Sequence, residues 1–103
     1  MMSKFFQVNT VSIGQLEIKD IIELHINKDS IFMTTIDINE SLINILNKSK
    51  KEKLILGKLS IVDINEKQIF YTNVIIDNYN FIFNSSITTL ELVLSYKEIR
   101  IDV

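Results

Sequence analysis

Cysteine and proline are absent from this sequence and glycine occurs only twice. Without cysteine there is neither a disulfide scaffold nor a thiolate metal site to supplement a small core, so stability must come from packing or oligomerisation. Without proline, and with glycine at 14 and 57 alone, strand ends must be read from clusters of Asn, Asp, Ser and Lys. A single histidine, His25, leaves little material for a nucleophilic triad or a histidine-based metal site. The 13 Asp and Glu form no D-x-D-x-D run followed by Gly, no H-E-x-x-H and no E-x-x-H, which gives metal binding no basis. Neither glycine belongs to a phosphate-cradling motif, so no nucleotide and no other cofactor is expected. The net charge of −2 and pI of about 5.3 offer phosphate backbones and anionic lipid nothing to bind, and nucleic acid and membrane are both set aside as partners. Long apolar runs are missing too. After Phe5 and Phe6 no signal-peptide core follows, and nothing approaches transmembrane length, which makes the cytoplasm the expected location.

What is present is a 103-residue chain, 47% hydrophobic and 23% charged, within the range of one folded domain spanning 1–103. The segment from Phe5 to Ile18 reads as one or two short strands broken near Gly14, the residue best able to take a positive φ. From Ile21 to Ile26 the chain alternates, with Ile22, Leu24 and Ile26 on one side and Glu23 and His25 on the other. The turn Asn27-Lys28-Asp29-Ser30 then leads into Ile31 to Ile38, where Phe32, Thr34, Ile36 and Ile38 share a face; the two strands form a predicted hairpin. At Asn39 the period changes. Leu42, Ile43, Ile45 and Leu46 recur at helical spacing, Asn39 or Ser41 can cap the first turn, and Lys48, Lys50, Lys51 and Lys53 gather near the negative end of the dipole. The spacing predicts a helix of two to three turns that packs Leu42, Ile45 and Leu46 on the sheet.

Beyond the helix the strands resume: Leu54 to Ile64, the turn Asn65-Glu66-Lys67, Gln68 to Asp77, then Tyr79 to Phe83, the turn Asn84-Ser85-Ser86, and Thr88 to Val103. In the last of these Leu90, Leu92, Leu94 and Tyr96 lie on one face while Ile99, Ile101 and Val103 have the opposite parity. One extra residue must therefore be absorbed near Lys97 and Glu98.

Two strands are apolar on both faces. Ile55, Leu59 and Ile61 oppose Leu54, Leu56 and Val62, and Ile69, Tyr71 and Ile75 oppose Phe70, Val74 and Ile76. A barrel takes only alternate residues inside, so the other set needs a helix or another subunit to cover it, and a single helix cannot cover everything. Ile55, Leu59, Ile61, Ile69, Tyr71 and Ile75 are the candidate oligomer interface, with the register deciding whether Ile75 or Ile69 points outward.

The candidates for chemistry have plain structural readings. His25 shares a face with Glu23 and reads as a rim histidine. Asp63 and Glu66 flank a predicted turn, where acidic residues are favoured for local reasons. The lysines from 48 to 53 are interrupted by Glu52 and lack interleaved aromatics, so they read as a solvated helix end. The aromatics Phe70, Tyr71, Tyr79, Phe81, Phe83 and Tyr96 read as core packing on strands. No enzyme is expected.

The order from Ser41 to Val103 carries a resemblance: an amphipathic helix, a lysine-rich exit, LILGKLSIVD, a polar hairpin, YTNVIIDNYNF, and TTLELVLSYKEIRIDV. It resembles the second half of the haemolysin-coregulated protein family, the tube subunits of type VI secretion systems, and more distantly phage tail-tube proteins. Tyr71-Thr72-Asn73-Val74 through Tyr79 matches one strand pattern of that family, and Val93-Leu94-Ser95-Tyr96 with Ile99 to Ile101 matches its terminal strand. The resemblance implies a small β-barrel with one flanking α-helix, closing into a hexameric ring whose rings stack into a conduit for effectors. It also implies export through the injection machine without a signal peptide. The segment 1–40 is shorter than the family's first half and has no clear counterpart of the loop that docks one ring on the next. A hub, tube initiator or adaptor of the same fold therefore stands beside the tube subunit, as does a monomeric β-barrel module that offers a strand edge to a protein partner.

Overall fold

The computed structural model describes residues 4–5, 11–62 and 68–102. The chain is mainly β with one flanking helix. Its strands are β1 (Lys4–Phe5), β2 (Val11–Ile13), β3 (Leu16–Ile18), β4 (Ile21–Ile26), β5 (Ile31–Thr35), β6 (Ile55–Val62), β7 (Gln68–Phe83), β8 (Thr88–Ser95) and β9 (Glu98–Asp102). Helix α1 (Glu40–Lys51) lies between β5 and β6 in sequence. All the pairings are antiparallel and run in the order β1-β4-β5-β8-β7-β6-β2-β3, with β9 added to β7. The expected barrel is an open one. The sheet wraps a single core that takes Val11, Ile13, Leu24, Ile31, Met33, Leu59, Leu90, Leu92 and Leu94, yet among the described residues its end strands β1 and β3 do not pair with each other.

The helix forms where the period predicts, about one turn longer than its core of apolar residues. Asn39 is the N-cap, its side-chain oxygen accepting the Leu42 amide at 2.9 Å, and Lys48, Lys50 and Lys51 occupy the last turn. Leu42 and Leu46 are fully buried, Ile45 packs partly against them, and Ile43 is exposed. The turn of the first small hairpin is made at Gly14 and packs closely against Gly57 of β6. Gly14 (φ +61°) and Gly57 (φ +122°) meet where β2 crosses β6; a Cβ on Gly14 would overlap the Leu56 carbonyl oxygen, and the Gly14 amide donates to the Lys58 carbonyl at 2.9 Å.

Irregular pairing and an early strand end alter three sequence expectations. In β4 the register passes from Ile21↔Thr35 to Glu23↔Thr34, so Ile22 is bulged out and 55% exposed while Ile21 joins Leu24 and Ile26 inside. β5 ends at Thr35, short of the predicted Ile38; its core-facing residues are Ile31, Met33 and Thr35, and Thr34 on the opposite face is buried as well. The Thr35 hydroxyl donates to the Lys19 carbonyl at 2.6 Å and accepts the Asp37 amide at 2.9 Å, which satisfies a buried polar group at the strand's end. The predicted break at Asn78 is a bulge, because β7 runs unbroken for 16 residues and Asp77 is the extra residue opposite Leu94 and Val93. The turn 65–67 and Asp63 lie outside the described residues.

The expected parity switch in the last strand is present. Regular strand stops at Ser95 and resumes at Glu98, with the Lys97 amide donating to the Thr72 carbonyl across the gap. Ser95 pairs with Ile75 and Ile99 with Tyr71, so β8 and β9 follow the same edge of β7 as one interrupted strand. Opposite the gap, Asn73 adopts φ +52° and is the extra residue of β7 against β6. Both strands thus turn over together, and Ile99 and Ile101 face the same side as Tyr71 and Ile69.

Candidate interaction surfaces

Bulges split the six residues of the predicted interface into two sets. From Val62↔Gln68 to Leu59↔Tyr71 the register of β6 and β7 is regular, and here Leu59, Ile61, Ile69 and Tyr71 point into the core at 0–5% exposure. Asn73 on β7 and Leu56 on β6 each add a residue beyond that stretch, which reverses the parity. Ile55 and Ile75, paired directly, therefore face outward, Ile55 at 61% exposure and Ile75 half-buried. Four of the six residues are core within one chain and offer no surface; Ile55 and Ile75 alone remain as outward apolar positions. The paired bulges break the strict alternation on which a single outward face depends.

The outer row Ile55–Ile75–Ser95 continues into a second row, Asn78–Val93–Phe32–His25, on the same side of the sheet. Val93 and Phe32 are half-buried there, and the His25 and Phe32 rings lie 6.3 Å apart. His25 Nε2 sits 2.8 Å from Glu23 Oε1, an exposed pair on the solvent side of β4, as its strand position predicts.

Two further apolar positions stand uncovered. At the tip of the β7–β8 hairpin, Tyr79, Phe81 and Phe83 share a face; Tyr79 and Phe81 meet edge-on at 5.9 Å, and Phe81 stacks on Phe83 at 6.3 Å. Tyr79 and Phe81 are half-buried, whereas Phe83 is 76% exposed, with Ile87 at 44% across the turn. Alternation predicts the direction of Phe83 but not the point at which covering elements end, so the expected core position is exposed. The second position is β9, where Ile99 and Ile101 are 49% and 55% exposed.

Polar chemistry is sparse around these surfaces. A groove of about 330 Å³ between α1 and β7 is lined by Leu46, Ser49, Lys50, Tyr79 and Phe81, with the Lys50 ammonium 5.7 Å from the Tyr79 ring centre. On the outer face of β6, β7 and β9, Lys58 stands 4.4 Å over the Phe70 ring, and Arg100 pairs with Phe70 from the other side. At the parity switch Tyr71 meets Tyr96 edge-on at 4.8 Å, and the Tyr96 hydroxyl reaches the carbonyl oxygens of Lys28 and Asn27. Burial, reinforced by the neighbouring Tyr96, pushes the Tyr71 phenol up to about 12. Burial, then the charge of Asp29, raises Tyr96. Both rings are thereby held neutral as packing groups. Among the described residues no three His, Cys, Asp or Glu gather to hold a metal, and no helix is long and apolar enough to cross a membrane. No protein-family model matches the chain, and no curated protein is similar to it in sequence.

Proposed function

We propose that this protein is a structural subunit that works by assembling with other protein chains, first of all with copies of itself, as a tube or tube-like part of a contractile injection machine. The outward row of Ile55 and Ile75 carries the reading. Scattered exposed apolar residues are ordinary on a soluble surface, but a cross-strand pair that continues toward Val93 and Phe32 forms a patch of the kind protein interfaces use. A heterologous contact between such a patch and a different surface of the next copy repeats around an axis, and closes into a ring where its rotation divides a full turn. The mainly-β architecture with one flanking helix is the one the tube resemblance implies, and the ring is its natural assembly. A second reading, a monomeric module that binds a partner by strand addition, draws on the edge of β9 that has no neighbour among the described residues.

Size-exclusion chromatography with light scattering tests the assembly. At about 100 micromolar, where an interface with a dissociation constant of about 10 micromolar is well populated, the protein should run as a discrete oligomer. Ile55→Glu, at an exposed position that tolerates a charge in the monomer, should reduce it to a smaller species with the β signature in circular dichroism unchanged. A monodisperse monomer at that concentration removes the self-assembling tube and leaves the adaptor or binding module.

A further inference from the structure

Strand β9 has one edge paired to β7 and, among the described residues, nothing on the other. Its inward residues Ile99 and Ile101 are half exposed, although the residues they pair with, Tyr71 and Ile69, are at 2% and 5%. An edge with free backbone groups and an apolar face is a template for one more strand. The sequence of the edge selects the occupant. Glu98 and Arg100 alternate with Ile99 and Ile101, and both charged residues are exposed on the outer face.

We propose that β9 receives β9 of a second copy of this chain, antiparallel, with Ile99 opposite the second copy's Ile99. In that register Glu98 lies opposite the second copy's Arg100, and Arg100 opposite its Glu98, so two opposite-charge cross-strand pairs flank an isoleucine pair. Centring the contact on Arg100 would set Arg100 against itself on the outer face, like charge against like charge, and that register is disfavoured. Pairing across a two-fold axis perpendicular to the sheet puts the isoleucines of both copies on one side. Ile99 then gains a direct apolar partner that a single chain does not give it, and Ile101, opposite Lys97, lies diagonal to the second copy's Ile99. The contact is isologous and ends at a dimer, so any larger assembly needs a second surface such as Ile55 and Ile75. The proposal rests on the assembly reading but not on the tube.

The absence of cysteine makes the test clean. Ile99→Cys places two thiols on directly opposed residues, about 4.5–5.5 Å apart between Cα atoms, within disulfide reach. Mild oxidation should link the chains as a dimer on a non-reducing gel. Ile87→Cys, at a comparably exposed position of the hairpin tip (44% against 49%), should link far less. In sedimentation, Arg100→Glu should weaken the dimer about tenfold by setting Glu against Glu. The double exchange Glu98→Arg with Arg100→Glu should restore it. Equal cross-linking of the two cysteine variants, or a double exchange as weak as the single, overturns the β9 contact. If an oligomer persists in those cases, the assembly reading stands without this interface; if the wild-type chain is monomeric at about 100 micromolar, both fall.

Discussion

Strands β8 and β9 follow the same edge of β7, point their apolar residues to the same side and are separated by two residues, yet their environments differ completely. Leu90, Leu92 and Leu94 are at 0% exposure; Ile99 and Ile101 are at 49% and 55%. The difference does not lie in the pattern, since each strand alternates correctly once the switch at Tyr96 and Lys97 is counted. It lies in what surrounds them. β8 has β5 on its second edge, with Ile31, Met33 and Thr35 directly opposite Leu94, Leu92 and Leu90, whereas β9 has no second neighbour among the described residues. Facing direction is a property of the local sequence, and burial is a property of the neighbours.

The largest effect that follows is in the covered strand. Leu92 is fully buried between Met33 and Tyr79 on the flanking strands, so Leu92→Ala removes packing with no room for collapse on either side. It should cost roughly 2–5 kcal/mol in urea unfolding. Leu46→Ala, on the buried face of α1, should fall in the same range of about 2–5 kcal/mol, because the helix is the lid of the same core. A loss below about 0.5 kcal/mol at Leu92 would place that strand outside the core and end the contrast with β9.

Much of the architecture was legible from periodicity and turn chemistry. The helix with its Asn39 cap, the strand Ile21 to Ile26, the hairpin that follows it and the irregularity at Tyr96 to Glu98 all rest on short-range signals: side-chain spacing, capping groups and polar turns. The interface was less legible. Its residues were divided by parity across Leu54 to Asp77, but Leu56, Asn73 and Asp77 are each an extra residue in a ladder, and each reverses the faces beyond it. Such bulges depend on which partner strand lies alongside, a long-range property that no local run of residues encodes. The same is true of Ile22, whose outward position is set by its pairing with β5. Two-sided hydrophobicity in β6 and β7 thus arose partly from bulges that turn both apparent faces inward in succession, leaving Ile55 and Ile75 outside.

A smaller effect sharpens the seam between the covered and uncovered strands. Tyr71 pairs with Ile99 and packs edge-on against Tyr96, and its phenol is held up at about 12 against 10.0 when unperturbed. A phenol whose folded pKa is raised binds its proton more tightly in the folded state. Its contribution is fully present below about pH 10 and is lost as pH rises from there through the folded value near 12. Across that window the loss is about 2 kcal/mol of unfolding free energy. Tyr71→Phe should flatten the alkaline decline between pH 10 and 12 while leaving the plateau at neutral pH close to wild type. An unchanged alkaline slope would mean that Tyr71 is solvated and that the seam opens in solution.

The smallest effect concerns Ile99 itself. Threonine keeps the β-branched shape that suits a strand and removes the apolar end of the side chain, so Ile99→Thr tests cover rather than strand propensity. In a dilute monomer, with half of the Ile99 surface already in water, the change should alter stability by less than about 0.5 kcal/mol, against several for Leu92 on the same side of the sheet. The measurement belongs at low micromolar concentration or below, where self-association cannot contribute to stability by mass action. Repeating it at high concentration separates the two sources of cover: a penalty that grows with protein concentration comes from a second chain, because only a bimolecular contact depends on concentration. A penalty of about 2 kcal/mol at every concentration would instead show Ile99 buried within its own chain. The contrast between β8 and β9 would then disappear, and with it the reason for a second copy to pair at that edge.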